Sequence, residues 1–461
     1  MGGVLMKGLS VIILAAGKGV RMKSDLPKVL HRICGKEMIN HVVDNVKGLG
    51  ASQIIVVTGY KQDSVKEVLA ENVETVWQEK QLGTGHAVMQ AVPSILKDAG
   101  HVLVLYGDTP LVSSETLLRL IEYHRSGSYG MTVLTVDMDN PEGYGRILRN
   151  NAGNITAIVE HKDANQDQRR IREINSGIYC FDRKLLAEGI GSLKNDNAQG
   201  EYYLTDIVEF LDDKGIIIGG CKSDDPQEVM GVNTKYQLSV VQKAMNLRNL
   251  IRLMEDGVII DDPDSTYIES TVTIETDTRI LPGTHIEGGT RIGPNNVIGP
   301  GVRIQNCTVG SGNEIEFSVL RDSDIGSGCR IGPYAHIRPG CSIEGGNRIG
   351  NFVEIKNSRL KEGSKVSHLS YVGDGDVGRG VNIGCGVVFV NYDGRKKYRT
   401  VVEDGAFVGC NVNLIAPVRI KKDAYIAAGS TITKDVEEYS LAIERGQQVE
   451  KKDWVKRKGL K

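Results

Sequence analysis

Aliphatic residues recur every six positions through the second half of this chain. The first run is Ile268, Ile274, Ile280, Ile286, Ile292, Ile298 and Ile304; the spacing resumes at Ile325, Ile331, Ile337, Ile343, Ile349 and Ile355, and again at Val402, Val408, Leu414, Ile420, Ile426 and Ile432. A period of six suits neither an α-helix nor an amphipathic strand, whose apolar residues recur at about 3.6 and 2. It suits a solenoid of short strands in which each flat side contributes one large inward side chain. Four residues after each aliphatic stands a second, usually smaller residue, as at Thr284, Thr290, Val302, Ala335, Val353, Ala406, Val418 and Ala424. One large and one small inward position per hexad fill a narrow triangular interior, and 55 glycines supply the turns. The second half therefore reads as a β-helix. Asn391 to Thr400 (NYDGRKKYRT) interrupts the period and must loop out. A polar, basic excursion from a regular prism is where function usually sits.

At 461 residues two domains are expected. A formal net charge of -2 argues against nucleic acid or an anionic membrane as partner. No apolar run is long enough to span a bilayer, and the N-terminus lacks a signal-peptide layout. The eight cysteines show no CxxC spacing, and Cys329 and Cys341 fall on small inward positions of the repeat. A reducing, cytoplasmic compartment is expected.

The first half alternates strand and helix signals. Ser10–Ala16, Gln53–Thr58, His101–Tyr106 and Met131–Asp137 are β-rich apolar runs, separated by helical patterns at 38–49, 62–71, 86–98 and 114–125. This alternation predicts an α/β domain with a mostly parallel sheet covered on both faces. Ligands of such sheets bind beyond the carboxyl ends of the strands. Residues 234–256 lack Gly and Pro and read as a long helix joining the halves. The expected organisation is a first domain over 1–230, a linker helix over 231–257 and a β-helix with a basic tail over 258–461.

Leu14, Ala15 and Ala16 end the first strand, Gly17, Lys18, Gly19, Val20 and Arg21 follow it, and Lys28 comes soon after. Glycines there let backbone N–H groups approach phosphate oxygens, and Lys18, Arg21 and Lys28 can neutralise them. The stretch is neither a Walker A loop nor a dinucleotide fingerprint. It resembles the signature of sugar-phosphate nucleotidyltransferases, which implies a Rossmann-like domain. On that resemblance Gln78, Gly83 and Thr84 belong to a base-reading segment, and Tyr106, Gly107 and Asp108 to a strand end carrying a metal-binding aspartate. Gly145, Glu160, Asn175 and Asn233 match sugar-phosphate positions, with Asn233 the second metal position. The implied reaction is attack of a sugar-1-phosphate oxygen on the α-phosphorus of a nucleoside triphosphate, expelling pyrophosphate. Such in-line transfer needs positioning and charge neutralisation more than a side-chain nucleophile. Mg²⁺ at Asp108 and Asn233 is expected, since hard oxygen ligands suit it, with Lys28 and Arg21 as catalytic cations.

The hexads resemble the hexapeptide-repeat left-handed parallel β-helix, and the handedness comes from that resemblance. The runs Ile337-Arg338-Pro339-Gly340, Asn351 to Lys356, Ser367 to Tyr371 and Asn391-Tyr392-Asp393-Gly394 resemble more closely one family. It is that of the bifunctional N-acetylglucosamine-1-phosphate uridyltransferase/glucosamine-1-phosphate acetyltransferases, over residues 7 to 457. The resemblance implies that His368 is the general base taking a proton from the glucosamine amine as it attacks acetyl-CoA; histidine suits this because its ordinary pKa lies near neutrality. It also implies that Arg338, Lys356, Tyr371, Asn382 and Lys397 hold the sugar phosphate. Asn391, Tyr392, Cys410, Ala428 and Arg445 would then meet acetyl-CoA. Cys410 stands where the family often has serine, and Cys385 where a small alanine is common. The implied whole is a homotrimeric enzyme of UDP-N-acetylglucosamine synthesis using acetyl-CoA, UTP and Mg²⁺. The alternative is a monofunctional sugar-1-phosphate nucleotidyltransferase with a regulatory β-helix.

Overall fold

The structure, a computed structural model, describes residues 8–460. It divides into two compact units between Met245 and Asn246, a point inside the helix Lys235–Glu255.

In the first strand of the first unit, Leu9–Ala15, side chains alternate between two buried faces, because successive residues of a strand point to opposite sides. Val11 and Ile13 pack with Val42, Val46 and Leu120 from the helices Met38–Lys47 and Ser114–Ser126. Ile12 and Leu14 pack with Val88, Ala91 and Ile207 from Thr84–Ala91 and Ile207–Asp213. Each fully buried aliphatic contributes about 1.5–3 kcal/mol relative to exposure, and that burial holds helices on both faces. The helix expected over 86–98 stops at Ala91, because Pro93 opens a 3-10 turn at Val92–Ser94 and has no N–H to continue the ladder.

The strand order is Ile218–Lys222, Met131–Asp137, Glu173–Asp182, His101–Tyr106, Leu9–Ala15, Gln53–Thr58, Glu74–Trp77. Leu9–Ala15 lies parallel to both neighbours, so its carboxyl end and that of His101–Tyr106 open on the same edge. Glu173–Asp182 runs antiparallel to both of its neighbours and shifts register between Asn175 and Tyr179. A hairpin of Arg146–Arg149 and Ile155–Val159 branches from it.

The second unit is a left-handed parallel β-helix whose flat sides are three parallel sheets of 11, 10 and 9 strands. They run from Ile259–Ile260 to Leu441–Ala442; each strand pairs in register with the one three further along the chain, except that Tyr425–Ile426 pairs with Leu441–Ala442, two further along. The inward aliphatics form one buried column, including Ile268, Ile304, Ile337, Val408 and Ile426. The small inward positions, Thr284, Thr290, Ala335, Ala406 and Ala424 among them, are equally buried. Leu250 and Leu253 of the helix join this core, and Asn246 Nδ2 donates to Thr266 O at 2.9 Å, closing the first coil.

Between the hexad runs the coil does not stop. The inward series passes through Val309, Ile315 and Leu320 to Ile325, and through Leu360, Val366, Val372, Val377, Ile383 and Phe389 to Val402, all buried. Five of these steps are five residues long: 304–309, 315–320, 320–325, 355–360 and 372–377. In each, a non-glycine residue takes positive φ two positions after the inward aliphatic: Asn306, Phe317, Asp322, Asn357 and Asp374. In six-residue steps such as those at Asn295, Tyr334, Phe352 and Leu369 it stands three after. A left-handed residue placed one position earlier turns the corner in one residue fewer.

Candidate functional sites

Beyond the carboxyl ends of Leu9–Ala15 and His101–Tyr106 lies a cleft of about 440 Å³. Leu14, Ala15, Ala16, Gly17, Lys28, Gln78, Gly83, Thr84, Tyr106, Asp108, Gly145, Glu160, Asn175 and Asn233 all line it. These segments are brought together from distant parts of the sequence by the sheet. Gly19 has φ +66, and a Cβ there would lie 2.7 Å from Cβ of Lys28, so only glycine lets the loop close on the lysine. Gly107 stands between Tyr106 and Asp108, its N–H donating to Leu14 O at 2.9 Å. Arg21 is not among the lining residues, but its guanidinium reaches Asn233 Oδ1 at 2.9 Å.

The electrostatic centre of the cleft is the Lys28 ammonium. It forms a short ion pair with Asp108 Oδ2 and donates to Asn233 Oδ1 at 3.1 Å. The Asp108 carbonyl accepts from Val232 N–H at 2.9 Å, which fastens the Asn233 segment to the strand end. Two hard oxygens thus converge on one cationic nitrogen, the donor set a divalent cation of the magnesium type takes. Among the described residues no group of three or more His, Cys, Asp or Glu side chains could hold a metal. Such a cation would therefore complete its shell with water and substrate oxygens.

Gln78 is buried; its amide donates to Gly83 O at 3.1 Å and meets His86 Nδ1 at 2.9 Å, which fixes the shape of the 81–85 loop. Asn175 is held by Tyr179 Oη at 2.7 Å and by Gly177 N–H at 3.0 Å. Burial raises the Glu160 carboxyl above the usual range, and the nearby Asp163 and Asp206 raise it further. Burial likewise raises the Tyr106 phenol, with Glu160 and Asp108 adding to the shift. Thr109, Ser176 and Glu201 also line the cleft and were not singled out from sequence. Thr109 directly follows Asp108 and was within reach of the motif; nothing local marks Glu201.

On the β-helix the expected residues fall on one corner column and the face beside it. The registers of Arg348–Asn351, Lys365–His368, Asn382–Ile383, Phe407–Val408 and Tyr425–Ile426, continued to the corner, stack Asn351, His368, Cys385, Cys410 and Ala428 in successive coils. Coils are about 4.8 Å apart. Arg445 lies one position off this column, its side chain beside Gly429 on the next coil. His368 Nδ1 meets Asn351 Oδ1 at 2.9 Å, and the ring is exposed. Ser370 Oγ donates to both His368 O and Gly384 O, tying that coil to the next. Asn382 lies in the strand below Lys365, on the face leading into this corner.

The chain then crosses the second face, where Glu354 pairs with Tyr371 and Lys356 with Gly373 in register. Arg338 forms an ion pair with Glu354 at 2.7 Å. At the far corner, contact with the Lys397 ammonium lowers the pKa of Lys356, and the Arg338 charge lowers it further. Three cations therefore converge at the corner where the 391–400 loop leaves the prism. That loop is ordered by its own contacts: Tyr392 bridges Lys397, Tyr398 N–H donates to Asn391 O at 2.8 Å, and Asp393 Oδ1 accepts from two backbone N–H groups at 2.7 Å. Asn391 Nδ2 donates to Asp374 Oδ2 at 2.5 Å and lies 3.5 Å from Tyr371 Oη. Asp374, buried and also bonded by Asn357 at 2.5 Å, is the anchor that the sequence reading missed.

Residues 11–174 match the MobA-like NTP transferase domain, and residues 268–343 the GMPPB C-terminal domain. The bifunctional protein GlmU of Acetivibrio thermocellus is 50% identical over 455 residues, covering 99% of both chains. That of Alkaliphilus oremlandii is 52% identical over 452 residues, covering 98% of this chain and 99% of its own. That of Clostridioides difficile is 50% identical over 450 residues, covering 98% of each. With half of its residues identical to these relatives over 98–99% of its length, the chain belongs to the family of bifunctional GlmU proteins.

Proposed function

We propose that the two sites carry successive steps of UDP-N-acetylglucosamine synthesis: acetylation of glucosamine-1-phosphate on the prism, then uridylyl transfer to the product in the cleft. The observation that carries this reading is the pairing of a phosphate-type cation cluster with an exposed, oriented histidine on one prism face, in a chain whose other unit has the Lys28–Asp108–Asn233 node.

In the cleft, backbone N–H groups at 15–17 receive the phosphates of UTP, and Lys28 and Arg21 neutralise them. The Gln78 loop shapes the base pocket, while Gly145, Glu160 and Asn175 bind the sugar. Asp108 and Asn233 would hold Mg²⁺, which would supply charge neutralisation at the phosphates. Lys28 is released toward the substrate when its carboxylate partner is engaged otherwise. The chain's contribution is orientation for in-line displacement of pyrophosphate, without a covalent intermediate.

On the prism the sugar phosphate lies across the second face, its phosphate among Arg338, Lys356 and Lys397 and its amine toward His368. With Asn351 Oδ1 as acceptor, Nδ1 of His368 carries a proton and Nε2 is free to take one from the amine as nitrogen attacks the thioester. Acetyl-CoA runs down the column past Cys410 and Ala428 to Arg445, with Asn391 and Tyr392 ordering the loop beside it. The exposed column lacks a second wall, which favours a homotrimer in which a neighbouring copy supplies one. A cytoplasmic location is part of this reading; none of the eight cysteines is in a disulfide, and no helix among the described residues is long and apolar enough to cross a membrane.

The direct test supplies glucosamine-1-phosphate, acetyl-CoA, UTP and Mg²⁺ to the purified protein and measures thiol release, pyrophosphate and UDP-N-acetylglucosamine. Pyrophosphate release from N-acetylglucosamine-1-phosphate without any acetyl transfer would reduce the prism to a scaffold.

A further inference from the structure

Of the eight cysteines, six are buried, Cys385 is half-buried and Cys410 is exposed. These two are neighbours in the corner column: Asn382 pairs with Phe407 and Ile383 with Val408, which sets Cys385 directly against Cys410 on the next coil. The turns that carry them are in close contact. A Cβ on Gly384 would lie 2.8 Å from Cys410 N, one on Gly386 would lie 2.3 Å from Asn411 Oδ1, and Asn411 N–H donates to Cys385 O at 2.7 Å. In-register residues on adjacent strands stand about 4.8 Å apart, inside the roughly 4.4–6.8 Å Cα separation that a disulfide accepts. The pair sits one coil beyond His368, and Ser370 Oγ links the His368 and Gly384 carbonyls.

We propose that Cys385 and Cys410 form a reversible disulfide that closes the acetyl-transfer column. The closing part of the inference rests on the acetyl-transfer reading above. The oxidant is a low-molecular-weight disulfide, RSSR. The more accessible Cys410 thiolate attacks one of its sulfurs, forming a mixed disulfide and expelling one thiolate. The Cys385 thiolate then attacks Cys410 Sγ and expels the second. The cysteine protons pass to the two leaving thiolates, giving two RSH, and a thiol reductant reverses the sequence. The link pulls the Cys385 turn onto Cys410 and distorts the strip between His368 and Ala428. The uridylyl cleft, in the other unit, is untouched.

The test incubates the reduced full-length protein with glutathione disulfide, digests it, and measures both half-reactions beside the peptide masses. The expected result is a peptide pair joined through Cys385 and Cys410, with loss of acetyl transfer, recovery on dithiothreitol and unchanged uridylyl transfer. Cys385→Ser keeps its acetyl transfer when reduced, yields no joined peptide under the same treatment, and holds glutathione on Cys410 instead. Wild-type protein giving only mixed disulfides, or none, overturns the proposal, and a joined peptide with full acetyl transfer overturns the closing role. A joined peptide in an enzyme that never transfers acetyl groups would uphold the disulfide and refute the acetyl-transfer reading instead.

Discussion

Asn233 Oδ1 accepts a hydrogen bond from Lys28 Nζ at 3.1 Å across 205 positions of sequence. The same oxygen accepts from Arg21 at 2.9 Å. One amide therefore holds two of the cations that the triphosphate needs, and it reaches them because Val232 N–H is bonded to the carbonyl of Asp108. Asn233→Ala leaves both cations without this acceptor. Hydrogen bonds to charged groups are worth about 1.5–3 kcal/mol, so uridylyl turnover should fall roughly 10- to 100-fold. Acetyl transfer should be unaffected, since its residues lie in the other unit. The two half-reactions, assayed in one folded preparation, check this; equal loss of both would remove the assignment.

The β-helix was legible because one inward position repeats in the sequence, but its five-residue corners were not. A shortened corner keeps its aliphatic and merely moves the left-handed residue, as at Asn306 or Asp322, and such residues carry no compositional mark of a turn of that length. Asp374 was hidden for a related reason. Its partners Asn357 and Asn391 lie 17 residues away on either side, and only the coil register sets them together. The strand-end loops of the first unit were legible residue by residue, since each motif is local. Their convergence on Lys28 was not, because it depends on Leu9–Ala15 lying beside His101–Tyr106.

Asp206 offers a stability test. Burial, then Glu209 and Asp163, raise its pKa to about 6. The folded state therefore holds its proton more tightly than the unfolded chain, whose aspartates titrate near about 3.9. The stabilisation is fully present below the unfolded value and is lost as pH rises through about 6. Above that pH the ionised carboxylate weighs against folding, and Asp206 makes no side-chain cap to the helix Ile207–Asp213 that asparagine would lose. Asp206→Asn should raise the melting temperature near neutral pH, with the gain vanishing in acid. A gain that is the same at both pH values would contradict the shift.

Lys397 should matter to binding more than to chemistry. Its ammonium lies against that of Lys356, which is unfavourable until an anion arrives. Lys397→Ala relieves that repulsion and also removes one phosphate contact. KM for glucosamine-1-phosphate should rise about tenfold, the worth of one charged hydrogen bond, with kcat nearly kept. Thermal stability without substrate should not fall. A variant that loses kcat with KM unchanged would place Lys397 at the reacting atoms instead.

His368 and Asn351 give the sharpest separation of roles. Positioned general bases contribute about 10²- to 10⁴-fold, so His368→Ala should reduce acetyl-transfer turnover by that order. Binding of the sugar phosphate should persist on Arg338, Lys356 and Lys397. Asn351 touches no substrate in this scheme; its oxygen, 2.9 Å from Nδ1, fixes which ring nitrogen is free. Asn351→Leu leaves that nitrogen without its acceptor, lets the ring turn and populates the unproductive tautomer. Its kcat should fall less than that of His368→Ala, with KM for both substrates nearly constant. Asn351→Asp, which restores an acceptor, should recover much of the loss, and uridylyl transfer should match wild type in all three variants. Near-normal acetylation by His368→Ala would reduce the histidine to a corner residue. A loss in Asn351→Leu that aspartate fails to restore would detach the asparagine from the base.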